Sequence, residues 1–195
     1  MKKIMFNDRY GLTQAVIEGR KTMTRRIIIP QPDFLSDNFG WAKRNNGDVI
    51  LPKYGVDEIV AVAQRYSTIA AGHPDVDTFL FQVAKAHKIS LESVQDLAGW
   101  DNKMFTKAEL MPHQIRITGI RCELLRDISD ADCLREGIRY IPKICKFCFE
   151  DVSREAGFYF DDHREAFTML IDKVSGRGTW ASNPWVAVYE FELVK

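Results

Sequence analysis

Apolar residues recur at helical spacing in several separate segments of the chain. The first segment covers residues 12–18, and Gly19 follows it with the backbone freedom that ends many helices. A second begins after Ser129, a good N-cap residue, and closes at Gly137. The same period predicts further helices over residues 76–89, 90–98 and 162–175.

Runs of β-branched and aromatic residues lie between these helices and predict strands. They cover residues 27–29, 49–51, 59–62, 114–125 and 185–193. The last run is apolar on both faces, which is typical of a strand in the middle of a sheet. Helices and strands together predict an α+β fold.

Three segments interrupt this pattern. Residues 31–48 predict an irregular loop that carries Trp41 among its aromatic residues, and loops of this length often border a site. The helical block at about residues 67–110 separates two strand-rich regions, so we interpret it as an insertion. Residues 140–157 are interpreted as an irregular excursion. The length of the chain then predicts a single domain, 1–195.

Charge and hydropathy narrow the choice of partners. The 27 basic and 27 acidic side chains give a formal net charge of zero. A protein that coats long nucleic acid is normally basic, because phosphate contacts dominate that affinity, so neutrality favours a local site. No segment has the length of a membrane span, and the first residues lack the apolar core of a signal peptide. We therefore expect a cytoplasmic protein without a membrane partner.

The four cysteines do not form a metal-binding pattern. Only Cys145 and Cys148 are close in sequence. A structural zinc site usually needs a second pair, or histidines at matching spacing. We expect neither a metal nor another cofactor.

The segment from Gly19 to Arg26 carries four cations and two hydroxyls between the first helix and the first strand. One interpretation is a solvated basic turn. The other is an anion or nucleotide site, because arginine forks suit phosphates and a partly desolvated lysine loses its proton near neutrality. An extended chain places Lys21, Met23 and Arg25 on one face and Thr22, Thr24 and Arg26 on the other. Lys21 and Thr24 then share a pocket only if the chain turns between them.

Glu136 is predicted at the C-terminal end of the helix after Ser129. The helix dipole disfavours a carboxylate there, unless a cation lies nearby. A solvent-exposed glutamate is one interpretation, and a carboxylate directed at a basic partner is the other.

Several motifs resemble those of ASCH-domain proteins in the PUA-like superfamily, most closely the phage and prophage-type members. They are Phe6-Asn7-Asp8, Ala15 through Arg26, Met111-Pro112, Ile128-Ser129 through Glu136-Gly137-Ile138, Ala166-Phe167 through Thr179-Trp180, and Asn183-Pro184-Trp185-Val186. The resemblance excludes roughly residues 67–105 and 140–157. It implies a PUA-like β-barrel with surrounding helices, and a basic cleft that binds RNA or a modified nucleoside or nucleotide.

The resemblance also implies site residues. Some small bacterial members are amidohydrolases that deacetylate N4-acetylcytidine, and their lysine, threonine and glutamate fall on Lys21, Thr24 and Glu136. Thr24 would be the nucleophile or would position water, Lys21 would accept its proton, and Glu136 would orient Lys21 or shuttle protons. The expected ligand-binding residues are Arg20, Thr22, Arg25, Arg26, Trp41, Gln64, Trp180 and Asn183.

Two positions depart from the family pattern, and three functions stay open. Phage-type relatives usually carry Gly-Asp before the second strand and Arg-Glu at its end, where this chain has Val56-Asp57 and Ala63-Gln64. The first hypothesis is binding of RNA or a modified nucleoside without chemistry. The second is amide hydrolysis, and the third is a phage-related accessory or interaction protein with a different ligand. The sequence leaves the oligomeric state open.

Overall fold

A computed structural model describes residues 1–35, 42–154 and 156–194. The chain divides into two compact units. The first comprises Met1–Phe6, Ile59–Ile115 and Val194–Lys195, and the second comprises Asn7–Glu58 and Arg116–Leu193. Each unit contains both helices and strands.

The described residues form seven α-helices and eleven strands. The helices are α1 Leu12–Ile17, α2 Tyr66–Gly72, α3 Val76–His87, α4 Ala98–Asp101, α5 Asp130–Arg135, α6 His163–Ser175 and α7 Thr179–Ser182. The strands are β1 Lys3–Ile4, β2 Met23–Ile27, β3 Phe34–Leu35, β4 Ala42–Lys43, β5 Val49–Ile50, β6 Ile59–Val62, β7 Gln114–Leu124, β8 Arg139–Ile141, β9 Lys146–Asp151, β10 Ala156–Phe160 and β11 Trp185–Leu193.

In the first unit, β1 and β6 run parallel, with Lys3 opposite Ala61 and Ile4 opposite Val62. The Val62 N–H donates to the carbonyl oxygen of His113 at 2.9 Å, next to the start of β7. The strand predicted at residues 59–62 is confirmed.

The helical block of the first unit packs around Tyr66, which is completely buried. Its hydroxyl accepts a hydrogen bond from the Lys107 backbone N–H at 2.8 Å and lies 2.9 Å from Nε2 of His87. The ring packs edge-on against Phe79 of α3. Helix α3 itself confirms the helix predicted over residues 76–89.

The helix predicted over residues 90–98 is wrong. A 3-10 turn at Val94–Asp96 and the short α4 take its place. Gly99, predicted to end that helix, lies inside α4, where an added Cβ would come within 2.8 Å of the Tyr66 ring. The Tyr66 ring thus packs directly against the backbone at Gly99.

In the second unit, β11 lies between β7 and β2. It runs antiparallel to β2, with Val186 opposite Ile27 and Glu190 opposite Met23. The central position predicted for the closing strand is confirmed. Strand β2 begins at Met23, earlier than the predicted run of residues 27–29, and Ile29 is 85% exposed. Half of the basic segment, residues 23–26, is therefore strand rather than corner.

Two small antiparallel sheets complete the second unit, in the orders β3-β4-β5 and β10-β9-β8. The second of these occupies the segment at 140–157 that was predicted to be irregular. The regular register, with Phe158 opposite Phe149 and Phe160 opposite Phe147, corrects that prediction. These strands do alternate aromatic and polar residues, but the turns between them interrupt the alternation in the sequence.

The α+β class is confirmed, whereas no closed barrel is found among the described strands. The largest sheet has the order β1-β6-β7-β11-β2, so β1 and β2 are edge strands rather than partners in a closed ring. Among the described residues, no helix is long and apolar enough to cross a membrane.

Gly99→Ala is expected to lower the free energy of unfolding by about 1–3 kcal/mol, because its methyl group would overlap the Tyr66 ring. Gly72→Ala is the matched control, since Gly72 lies in α2 and an added Cβ there has no atom within 4 Å. The control is expected to be neutral or stabilising by about 0.4–1 kcal/mol. Urea unfolding measures both, and equal effects of the two variants would contradict the packing described here.

Candidate functional site

The end of α1 fixes the position of Lys21. Gly19 adopts φ 71°, as predicted for the residue that follows this helix, and the backbone N–H groups of Arg20 and Lys21 both donate to the carbonyl of Ala15 at 2.9 Å. The next N–H, of Thr22, donates to the carbonyl of Arg135 at 3.0 Å. Backbone hydrogen bonds therefore hold Lys21 against the end of α5.

Glu136 is held by the end of α5. The Ser129 hydroxyl caps this helix by accepting from the Asp132 N–H at 3.2 Å, which confirms the predicted N-cap. Gly137 follows with φ 109°, and a Cβ there would lie 3.1 Å from Leu12 and 3.6 Å from the Lys21 stem. A glycine at this position thus allows the chain to pass tightly over Lys21.

Lys21 and Glu136 form a buried ion pair across 115 residues of sequence. The Lys21 Nζ donates to Glu136 Oε2 and to its backbone carbonyl, each at 2.6 Å. The two side chains are only 2% and 6% exposed. The ammonium thus lies beside both the carboxylate and a carbonyl at the negative end of the α5 dipole. Burial lowers the pKa of Lys21, although the charge of Glu136 acts in the opposite direction.

Arg25 joins this pair to two further carboxylates. Its Nη1 donates to Glu136 Oε1 at 3.1 Å and to the Met23 sulfur, and its Nη2 donates to Glu123 at 2.6 Å and Asp132 at 3.0 Å. Its Nε also donates to Glu123, so all five N–H groups are used. Burial acts to lower the pKa of Arg25, but Glu136, Glu123 and the hydrogen bonds outweigh it and raise the pKa.

A more exposed rim surrounds these buried groups. Arg121 donates to Glu123, Asp132 and Glu190, while Arg135 donates to Asp132 and Glu190. Burial alone would raise the pKa of Asp132, but the hydrogen bond from Arg25 and the charges of the arginines lower it. The charge cluster consists of the cations Lys21, Arg25, Arg121 and Arg135 and the acids Glu123, Asp132, Glu136 and Glu190.

Thr24 is separated from the other two predicted catalytic residues. It lies opposite Tyr189 in β2, whereas its neighbours Met23 and Arg25 belong to the face that carries the charge cluster. Thr24 is buried, and its hydroxyl makes no hydrogen bond within the described ranges. The structure therefore brings together Lys21 and Glu136 but does not bring Thr24 into contact with them.

The other residues of the basic segment differ in their surroundings. Arg20 is exposed and pairs with Glu18 at 2.6 Å. The Thr22 hydroxyl accepts from Arg135 Nε at 3.3 Å, beside the rim of the cluster. Arg26 is half-buried and lies on the same face of β2 as Thr24. Arg20 is therefore the most exposed of the predicted cations.

Trp180 and Asn183 stabilise the turn before β11. The backbone N–H of Trp180 donates to the Asp172 carboxylate at 2.8 Å, and the Trp180 ring packs edge-on against Phe167. The Asn183 side-chain oxygen accepts from the Arg126 backbone N–H at 2.8 Å. These contacts account for the Trp180 and Asn183 motif without a ligand.

The two remaining predicted ligand residues are Gln64 and Trp41. Gln64 belongs to the first unit, where its side-chain oxygen is buried without a hydrogen-bond partner among the described residues. Trp41 lies outside the described residues.

Two adjoining cavities lie on the second unit. The larger has a volume of about 370 Å³ and includes Arg139, Glu150 and Tyr159 in its lining. The smaller shares Arg139 and Glu150 and extends to Arg20 and Gly137, the residue that covers the Lys21 stem. The cation predicted at residue 20 therefore borders a cavity next to the charge cluster.

The cysteines of the Cys-Lys-Phe-Cys segment are both free. Cys145 is exposed, whereas Cys148 is buried in β9. In the described part of the chain, no group of histidine, cysteine and acidic residues has the arrangement of a metal site.

Sequence reasoning missed five members of the charge cluster, one of which is Glu190 in β11. Arg121 and Glu123 alternate along β7, and Asp132 and Arg135 lie one turn apart on α5. The period-two spacing of Arg121 and Glu123 in β7 was a usable signal for a charged face. The pairing of Glu123 with Arg25 depends on the sheet register, which the sequence does not give.

The comparisons with known proteins do not extend the resemblance. No family model matches the chain, and no curated protein or solved structure matches it. The similarity to ASCH-domain proteins therefore rests on the sequence motifs.

Lys21→Met is expected to lower the free energy of unfolding by about 3 kcal/mol or more, because it leaves part of the Glu136 charge buried without its ammonium partner. Arg20→Met is the matched control, since it breaks an ion pair of the same 2.6 Å length between side chains about 40% exposed. The control is expected to cost about 0–1 kcal/mol. Urea unfolding measures the free energy of unfolding of both variants. Similar losses would show that burial of the Lys21–Glu136 pair does not contribute to stability.

Proposed function

We propose that the chain is an ASCH-type protein of the PUA-like superfamily that binds RNA or a modified nucleoside. The binding surface is the region around the basic segment, at the cavity bordered by Arg20 and Gly137. The motifs that resemble the family supply the ligand class.

The observation that carries this proposal is the Lys21–Glu136 pair. The resemblance associates these residues although they are 115 positions apart, and their side chains lie 2.6 Å from each other. A glutamate at a helix C-terminus is unfavourable without a cation, and Lys21 and Arg25 both supply one. The Lys21–Glu136 ion pair is therefore consistent with the site that the resemblance implies.

The charges support a local ligand rather than a long polyanion. Arg25 uses all of its N–H groups on the protein, so Arg20 at the cavity is better placed to contact a phosphate. The exposed cations Arg20 and Arg139 beside a neutral cluster suit one nucleotide, whereas a long track of phosphates needs many cations.

Arg20→Glu is expected to weaken binding of a fluorescein-labelled single-stranded RNA at least threefold, because it replaces the cavity cation by an anion. Arg177→Glu makes the same charge change at an exposed site that lines neither described cavity. Fluorescence anisotropy between 50 and 200 mM salt measures both variants. Binding that is absent at low salt in the wild type, or weakened equally by both variants, would contradict the proposed function.

Amide hydrolysis of an acylated nucleoside is a second candidate, favoured by the desolvated Lys21. A lysine with a lowered pKa is a better general base, and the Glu136 carboxylate fixes the position of its nitrogen. A water molecule would add to the acyl carbon as the neutral Lys21 amine takes its proton. Lys21 would then give this proton to the leaving nitrogen as the C–N bond breaks, which yields a carboxylic acid and the free amine. Thr24 would need to approach this pair to act as the nucleophile.

Lys21→Met is expected to reduce hydrolysis of N4-acetylcytidine by about 10²-fold or more, because it removes the proposed base. Lys173→Met, which changes a lysine of α6 that packs over Phe158, is the control and is expected to retain activity. Liquid chromatography of the released cytidine measures the rate, with circular dichroism used to confirm that each variant is folded. A wild-type protein inert towards N4-acetylcytidine would rule out this activity.

A further inference from the structure

The sheet formed by β8, β9 and β10 has two unlike faces. Phe147, Phe149, Phe158 and Phe160 lie on one face, which packs on α6. Phe149 stacks on Phe158 with ring centroids 4.9 Å apart and is 3% exposed. The opposite face contributes to the 370 Å³ cavity and is not part of this aromatic core.

Three residues form a row across the cavity face. Cys148 in the middle strand lies opposite Arg139 on one side and opposite Tyr159 on the other. Residues directly opposite each other in antiparallel strands share a face, so these side chains are neighbours. The next row places Glu150 opposite Gly157. The cavity therefore lies on a sheet surface that carries both an aromatic ring and charged groups.

The Tyr159 ring lies over Gly157. A Cβ at residue 157 would come within 2.9 Å of the ring carbon Cζ and of the hydroxyl, so only glycine leaves room for this position. Tyr159 is nevertheless 55% exposed. An aromatic ring placed along a sheet with an exposed surface is a platform on which a planar ligand stacks.

Charged groups border this platform in a fixed arrangement. Arg139 Nη2 donates to Glu150 Oε1 at 2.5 Å, while the two side chains remain 45% and 51% exposed. Asp151, at the end of β9, is buried and accepts from Arg9 and from the Ser153 hydroxyl. The platform thus has a guanidinium donor and a carboxylate acceptor beside it, on a strand whose end is anchored.

We propose that this surface, defined by Tyr159, Gly157, Arg139 and Glu150, is a nucleobase-binding site. The base stacks on the Tyr159 ring, and its polar edge contacts Arg139 and Glu150, which offer the donors and acceptors that read base edges. The cavity volume lies within the range typical of small-ligand sites. This inference rests on the proposed function, because it identifies where a base of the RNA or nucleoside lies.

Arg20, which lies at the adjoining small cavity, supports a nucleotide rather than another flat ligand. Arg139 and Glu150 line both cavities, and the smaller one reaches Arg20. A base on Tyr159 would therefore have a cation near its sugar–phosphate side, as single-strand binding sites combine stacking with a basic groove. The same geometry accepts a free nucleoside or a base within single-stranded RNA.

Photo-crosslinking tests this site directly. A single-stranded RNA decamer that contains one 5-iodouridine is irradiated with the full-length protein, and the crosslinked peptide is identified by mass spectrometry. The expected crosslink falls on Tyr159, is reduced at least tenfold in Tyr159→Ala and is retained in Tyr159→Phe, which keeps the ring. Gly157→Ala is also expected to reduce it, because the added methyl group displaces the ring.

The control is Tyr140→Ala, which removes a tyrosine of the same sheet that is 45% exposed but lies opposite Phe147, on the other face. This variant is expected to crosslink as the wild type does. Crosslinks that map elsewhere, or that survive Tyr159→Ala, would overturn the site. A competition arm with free uridine shows whether a nucleoside alone occupies it, and competition by ribose 5-phosphate instead would contradict recognition of the base.

The outcomes separate this site from the proposed function. RNA binding that depends on Arg20 but gives no crosslink at Tyr159 would reject the nucleobase site and leave the proposed function intact. Absence of RNA and nucleoside binding by the wild type would reject both.

Discussion

The hydrogen bonds of the Arg25 guanidinium hold the second unit together around its charges. Transfer of an arginine and its acidic partners out of water is costly, and this cost is offset only if every donor finds an acceptor. Arg25 meets that condition by contacting acids from β7 and from α5 and its C-terminal end at once. Loss of one acid would leave part of the Arg25 charge without a partner, so β2, β7 and α5 are coupled in position.

The sequence predicts the local backbone geometry of this site better than the long-range ion pairs between its residues. Gly19 and Gly137 follow the helix ends that hold Lys21 and Glu136, and Ser129 caps the start of α5. All three are recognisable because their roles depend on nearby backbone alone. The cost of a carboxylate at a helix C-terminus also indicated that Glu136 needs a cation. That Glu123 shares Arg25 with Glu136 follows from sheet register, a long-range property that no local pattern contains.

The errors in the predicted fold have a common physical origin. Strand β2 was predicted to begin later, because charged residues disfavour a buried strand unless tertiary partners neutralise them. The helix predicted over residues 90–98 is replaced by a 3-10 turn and α4, whose Val94 and Trp100 pack into the core around Tyr66. Strands β8 to β10 were missed because pairing rather than propensity stabilises them. In each case a distant partner decides a local structure.

The balance of the charge cluster affects how a ligand first meets the protein. Four positive and four negative groups packed together produce a field that largely cancels within a few ångströms, and salt screens the remainder over about 8 Å at physiological ionic strength. The charge cluster therefore attracts a distant anion only weakly. Diffusional encounter would then be slow by the standards of electrostatically steered binding, and discrimination among ligands would arise mainly from how long each one stays.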